Sequence, residues 1–166
     1  MSLLLNGSKT MTIAGTEMQC LEIYTGEAYT FPITFTDANG NAANALYPNA
    51  WTLATSAKFY TVDNVTYPTG DTVELGNITL NGTQPNANAY TLQTAFTNAQ
   101  AGTAYLYVGN NITGTANIGI PNIALANTTA NSTLVIVTLT VTRESTANSS
   151  LTDINREPLG FIVRYQ

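Results

Sequence analysis

The chain has 166 residues, 44% hydrophobic but only 9% charged, with a net charge of −5, no histidine and one cysteine. Its five cations, Lys9, Lys58, Arg143, Arg156 and Arg164, are scattered with no two adjacent, so no basic stripe can be assembled for nucleic acid or for an anionic membrane, and neither partner is expected. A lone cysteine excludes an intrachain disulfide, and with no histidine there is neither a serine triad nor a protein zinc site of the usual kind.

Polarity comes instead from 29 Thr and 19 Asn. Thr favours strands and Asn favours turns, which leans towards an all-β, loop-rich protein. A surface of neutral hydroxyls and amides suits a chain packed among neighbours better than one that stays dissolved at high concentration.

Residues 1–15 open with the apolar cluster Leu3, Leu4 and Leu5, followed by Gly7 and the alternating run Thr10–Ile13. Three exposed leucines on a free terminus would be anomalous, so this stretch reads as an N-terminal arm packed on a neighbour or on the domain's own edge. The leucine run is too short for a leader or a membrane span and no basic residues precede it, so synthesis in the cytosol is expected. Eight Asn-x-Ser/Thr triplets, at Asn6, Asn64, Asn77, Asn81, Asn111, Asn127, Asn131 and Asn148, follow from composition and are not read as glycan acceptors.

The β-sandwich domain is expected over 16–166. Glu17–Tyr24 reads as a strand in which Cys20 is a small buried hydrophobe rather than a reactive thiol. Tyr29, Phe31, Ile33 and Phe35 share one parity and Thr30, Pro32, Thr34 and Thr36 the other, the pattern of a half-buried strand. Pro32 suits a sheet edge or a bulge. Asp37-Ala38-Asn39-Gly40 supplies a turn; alternating oxygens at Asp37, Asn39 and Asn41 resemble the start of a calcium loop, but no downstream Glu completes it, and the turn is the better reading.

Further strands are expected over Ala50–Val62, Thr72–Leu80, Asn88–Phe96 and Thr103–Val108, with weaker ones over Ile112–Ile120 and Ile123–Leu125. Turn signals fall at Asp63-Asn64, 67–71 and 81–86, and Thr97–Gly102 reads as the one helical turn. Thr133–Thr142 is the strongest strand, apolar on both faces in its first half, as for a central strand packed on both sides. Ser145–Ser150 reads as a linker and Gly160–Tyr165 as an extra C-terminal strand. No ten-residue window keeps a helical period, so the pattern points to an antiparallel sandwich or barrel.

No constellation for chemistry emerges. The ten carboxylates, Glu17, Glu22, Glu27, Asp37, Asp63, Asp71, Glu74, Glu144, Asp153 and Glu157, are dispersed, and a two-acid glycosidase site is not indicated. No cofactor and no metal site are expected. Tyr47, Trp51, Tyr60 and Tyr67 cluster in sequence and could stack on sugar, but interface or core is the favoured role for them, and Tyr105 and Tyr107 fit core equally well.

The run Gly26–Asn41, the strand Trp51–Phe59, the stretch Ala99–Val108 and the closing Leu139-Thr140-Val141-Thr142-Arg143 together resemble the immunoglobulin-like N-terminal domain of phage baseplate upper proteins. The resemblance covers Glu17 to Arg143. Glu27-Ala28 stands where that family has Asp-Thr, the loops are longer, and a strand after Arg143 is additional. It implies an immunoglobulin-like β-sandwich and a virion structural protein of the tail or baseplate, made in the host cytoplasm and bound to copies of itself and to other virion proteins. No catalytic residue carries over. Leu3, Leu4, Leu5, Tyr47 and Trp51 are the candidate assembly interface. A capsid decoration or cement protein of the same fold is the alternative, and a carbohydrate-binding module is the alternative from another class.

Overall fold

Alternating side chains need two sheets to bury one face of each, and the chain builds them. The computed structural model describes residues 1–13, 15–24, 27–62, 72–75, 92–109, 132–148 and 150–164. Among these there is no helix, and the strands are β1 (Ser2–Leu5), β2 (Lys9–Ile13), β3 (Thr16–Tyr24), β4 (Tyr29–Thr36), β5 (Thr52–Val62), β6 (Thr72–Leu75), β7 (Leu92–Asn98), β8 (Thr103–Val108), β9 (Ser132–Glu144) and β10 (Thr152–Arg164). The weak strands over 112–125 and the turn signals at 63–71 and 81–86 lie outside the described residues.

A four-stranded sheet runs β1-β4-β8-β7 and a six-stranded sheet runs β5-β9-β10-β3-β2-β6. Every pairing in the smaller sheet is antiparallel. The larger one departs from the antiparallel expectation, because β10 runs parallel to β3 and β2 parallel to β6. The C-terminal strand is therefore no appendage. It starts eight residues earlier than expected and lies inside the sheet, between β9 and β3.

The main core lies between the sheets. Leu5, Ile33, Phe35, Leu106, Val137, Leu139 and Phe161 are all fully buried there. Phe31 stacks on Phe161 across the layers with ring centroids 5.4 Å apart. A second apolar cluster, Met11, Ile13, Met18, Cys20, Leu134 and Ile162, occupies the other face of the six-stranded sheet. Strand β9 contributes Val135 and Val137 to the first cluster and Leu134 to the second, which is why its sequence is apolar on both faces.

Residues 2–13 are strands of the sandwich itself. Of the two placements open to the expected arm, a neighbour or the domain's own edge, the chain takes its own edge: β1 pairs with β4, from Ser2 with Thr36 to Leu5 with Ile33. One side chain fastens it. Gln19 of β3 accepts the Leu5 N–H at its Oε1 (2.7 Å) and donates from its Nε2 to the Leu3 carbonyl (2.8 Å). These groups face away from β4, so the amide stands in for a missing neighbouring strand. Pro32, expected at a sheet edge or a bulge, instead lies within the sheet, since β4 runs between β1 and β8, but just beyond the point where the β1 ladder ends at Leu5 and Ile33. Its carbonyl accepts the Asn6 N–H just past the end of β1, so its missing donor falls where that neighbour has run out.

Candidate assembly surface

The five residues singled out as an interface separate on folding. Leu3, Leu5 and Trp51 are core residues of this chain, Trp51 at 8% exposure, while Leu4 is 55% and Tyr47 67% exposed. Strand alternation explains the leucines, since Leu3 and Leu5 point into the sandwich and Leu4 points out. Leu4 and Tyr47 belong to two different surfaces.

The first surface is the end of the sandwich formed by the loop from Asp37 to Trp51, the β7–β8 turn and the β9–β10 hairpin. Asp37 shapes the loop as a turn: its Oδ1 accepts the N–H groups of Asn39 (2.8 Å) and Asn41 (2.9 Å). Those two bonds hold its carboxyl below the usual carboxylate range. Ala43 N–H donates to the Phe35 carbonyl and Ala45 N–H to the Ala99 carbonyl, which pins the loop across the β7–β8 turn. That turn is not helical as expected. β7 continues to Asn98, whose side chain accepts the Ala101 N–H (3.1 Å), and Gly102 closes it at φ +64°.

Trp51 sits beneath this loop. Its indole N–H donates to the Tyr47 carbonyl (3.1 Å), its ring meets Phe35 edge-on at 6.2 Å, and the Arg143 guanidinium lies 5.5 Å from its centroid. Arg143 also faces Asp153 at 3.7 Å, and Glu144 on the same hairpin accepts the Asn49 side-chain amide. Between loop and hairpin is an open cleft of about 540 Å³, lined by Asp37, Ala42, Ala43, Asn44, Tyr47, Trp51, Arg143 and Thr146 among others.

The second surface is the outer face of the four-stranded sheet. Register places Leu4 beside Thr34 and Thr103, Pro32 beside Tyr105 and Ala95, Thr30 beside Tyr107 and Gln93, and Ser2 beside Thr36. None of these residues is charged. The six-stranded sheet differs: Lys58 beside Ile136, Arg156 beside Thr140, Glu22 beside Ile162 and Lys9 beside Cys20 put charges on its outer face. Tyr105 and Tyr107, read as core or interface, are half-buried on the uncharged outer face, because Ala104, Leu106 and Val108 take the inward positions of β8. The signal for this face was the Thr-Pro-Thr-Thr parity of β4. What was missing was which strands would flank it.

Among the described residues the titratable groups with shifted pKa values lie apart, on different strands and loops. Burial pushes the Cys20 thiol up to about 12, so it stays protonated and inert at neutral pH. Desolvation raises Glu157, which faces the sandwich interior opposite Leu139. Among the described residues no group of three or more His, Cys, Asp or Glu side chains is placed to hold a metal ion. No family model matches the chain, and no curated protein matches it.

Proposed function

We propose that this chain is a non-enzymatic structural subunit of a phage virion, an immunoglobulin-like sandwich making subunit contacts in the tail or baseplate. The observation that carries the reading is the uncharged outer face of the four-stranded sheet. Charged side chains cost several kcal/mol each to strip of water when unpaired, and the cores of protein interfaces are depleted in them and enriched in tyrosine. A sheet face of Thr, Tyr, Leu and Pro loses little on being covered. The resemblance of Gly26–Asn41 and Ala99–Val108 to baseplate upper proteins points the same way, and so does the low overall charge.

Quantitative proteomics and labelling of purified virions test the reading. Stoichiometric presence in the tail or baseplate is expected, and presence on the capsid instead would assign a decoration or cement role. Absence from particles sinks it. Tyr105→Glu, which sets a charge in the middle of the face, is expected to lower the melting temperature by only a few degrees, about 1 kcal/mol, while abolishing incorporation. Incorporation at the wild-type level would remove the face from the account.

A further inference from the structure

We infer that the cleft between the Asp37–Trp51 loop and the β9–β10 hairpin is a binding site for a neutral saccharide. The inference does not depend on the virion reading, because it stands on the chemistry of the cleft alone. At about 540 Å³ the cleft has the volume of a small-molecule site and is large enough for a disaccharide. Its walls carry opposite charges, Asp37 from the loop and Arg143 from the hairpin. Asp37, together with Glu144 and Asp153 on that hairpin, disfavours an anionic ligand, while Arg143 and the Met1 amino group, which also lines the cleft and acts on Asp37, offset those carboxylates so that a cationic ligand gains little.

A wholly apolar ligand is also disfavoured. It would strip water from a carboxylate and a guanidinium and return no hydrogen bonds, at a cost of several kcal/mol. What remains is an uncharged ligand with both donors and acceptors and an apolar face. A sugar ring has that character. Neighbouring hydroxyls donate to a carboxylate and accept from a guanidinium, while the C–H face packs on an aromatic ring. Tyr47 at the rim, 67% exposed, offers such a ring, and the methyl groups of Ala42 and Ala43 give the wall apolar ground.

The protein carries its own reporter, since Trp51, the only tryptophan, lines the cleft. Its fluorescence is followed while neutral disaccharides of glucose, galactose, mannose and N-acetylglucosamine are added, with sialyllactose as the anionic control. The expected result is a saturable change with at least one neutral sugar, weakened about tenfold or more in Tyr47→Ala and in Asp37→Asn, and none with sialyllactose. Both positions are exposed, and the amide introduced by Asp37→Asn keeps an acceptor oxygen for the turn. The sugar that binds free is then compared with a longer oligosaccharide ending in it and with its methyl glycoside. Undiminished binding of both identifies a chain-borne glycan as the source, and loss of binding when the reducing end is blocked identifies a free sugar. No response to any neutral sugar up to about 20 mM overturns the inference, as does a response that both variants leave unchanged.

Discussion

Replacing Gly102 by alanine should be among the most damaging single-methyl changes in this domain. Gly102 sits at φ +64°, a region that costs an L-residue about 1–2 kcal/mol. A Cβ placed there would lie 2.6 Å from the Ala43 carbonyl oxygen, 2.7 Å from that of Phe35 and 3.1 Å from the Ala43 nitrogen. All three are backbone atoms, so relief requires the loop to move rather than a side chain to turn. Moving it strains two bonds, Phe35 N–H to the Gly102 carbonyl (2.8 Å) and Ala43 N–H to the Phe35 carbonyl (3.0 Å), each contributing about 1 kcal/mol. Together these give about 3–4 kcal/mol, a large share of the roughly 5–15 kcal/mol that holds a domain together. For a chain of this size the melting temperature should fall by roughly 6–16 °C in calorimetry. Because the same loop roofs Trp51, its emission should shift to the red in the folded variant. A fall of less than about 3 °C would refute the geometric argument, since neither the φ penalty nor the backbone clash could then be real.

Gly160→Ala is expected to cost less, about 1–3 kcal/mol in chemical denaturation, because its Cβ would meet the Cys20 sulfur at 2.6 Å and the Met18 sulfur at 3.3 Å, side-chain atoms that can shift. Gln19→Met keeps the side-chain volume but removes the bonds to Leu3 and Leu5; hydrogen exchange at the Leu5 amide should accelerate tenfold or more while β9 and β10 stay protected, and unchanged exchange would show that the clamp is idle. Glu157 has its folded-state pKa raised above the ordinary value of 4.5, so its contribution to stability is fully present below that value and is lost as pH rises through the folded one. Glu157→Gln should therefore melt higher than the wild type at pH 7, with the gap closing by about pH 4.5, and a gap that persists at that pH would point to packing instead.

Much of the sandwich could be read from alternation alone. Strands β4, β8 and β9 announce their inward and outward sets residue by residue, and β9 also shows its two buried faces. The misses share a cause, which is that non-local pairing decided them. The first half of β10 puts Asp153, Asn155 and Glu157 at inward positions, a pattern no strand rule selects; thirteen consecutive partners on β9 carry it. Whether Leu3–Leu5 would pack on a neighbour or on the domain's own edge stayed open, because nothing nearby reveals Gln19 fourteen residues on from Leu5, or β4 beyond it. Trp51 stayed open between interface and core because the groups that enclose it, Phe35 and Arg143, become its neighbours only on folding. Thr97–Gly102 read as helical because a glycine stop looks alike after a helical turn and after a tight hairpin.

The partition of charge between the two sheets bears directly on how copies would meet. A face four strands wide, at about 4.8 Å per strand, and about six residues long covers roughly 400 Å². A standard interface removes about 800 Å² from each partner, so one such contact is too small to hold two free subunits together. At about 25 cal/mol per Å² of apolar area, its gross gain is of the order of the 4–15 kcal/mol that association costs. A single contact through this face should therefore be nearly neutral in dilute solution, leaving the chain monomeric at micromolar concentration. Where a ring or lattice lets each subunit make two or more such contacts, only the first bears the full entropic cost, and affinity multiplies without any new chemistry. One glutamate at Tyr105 then acts at every contact at once. The virion reading thus expects an all-or-none loss of incorporation from a substitution that the isolated domain tolerates, and a graded loss in proportion to the variant fraction would instead indicate independent, non-cooperative docking.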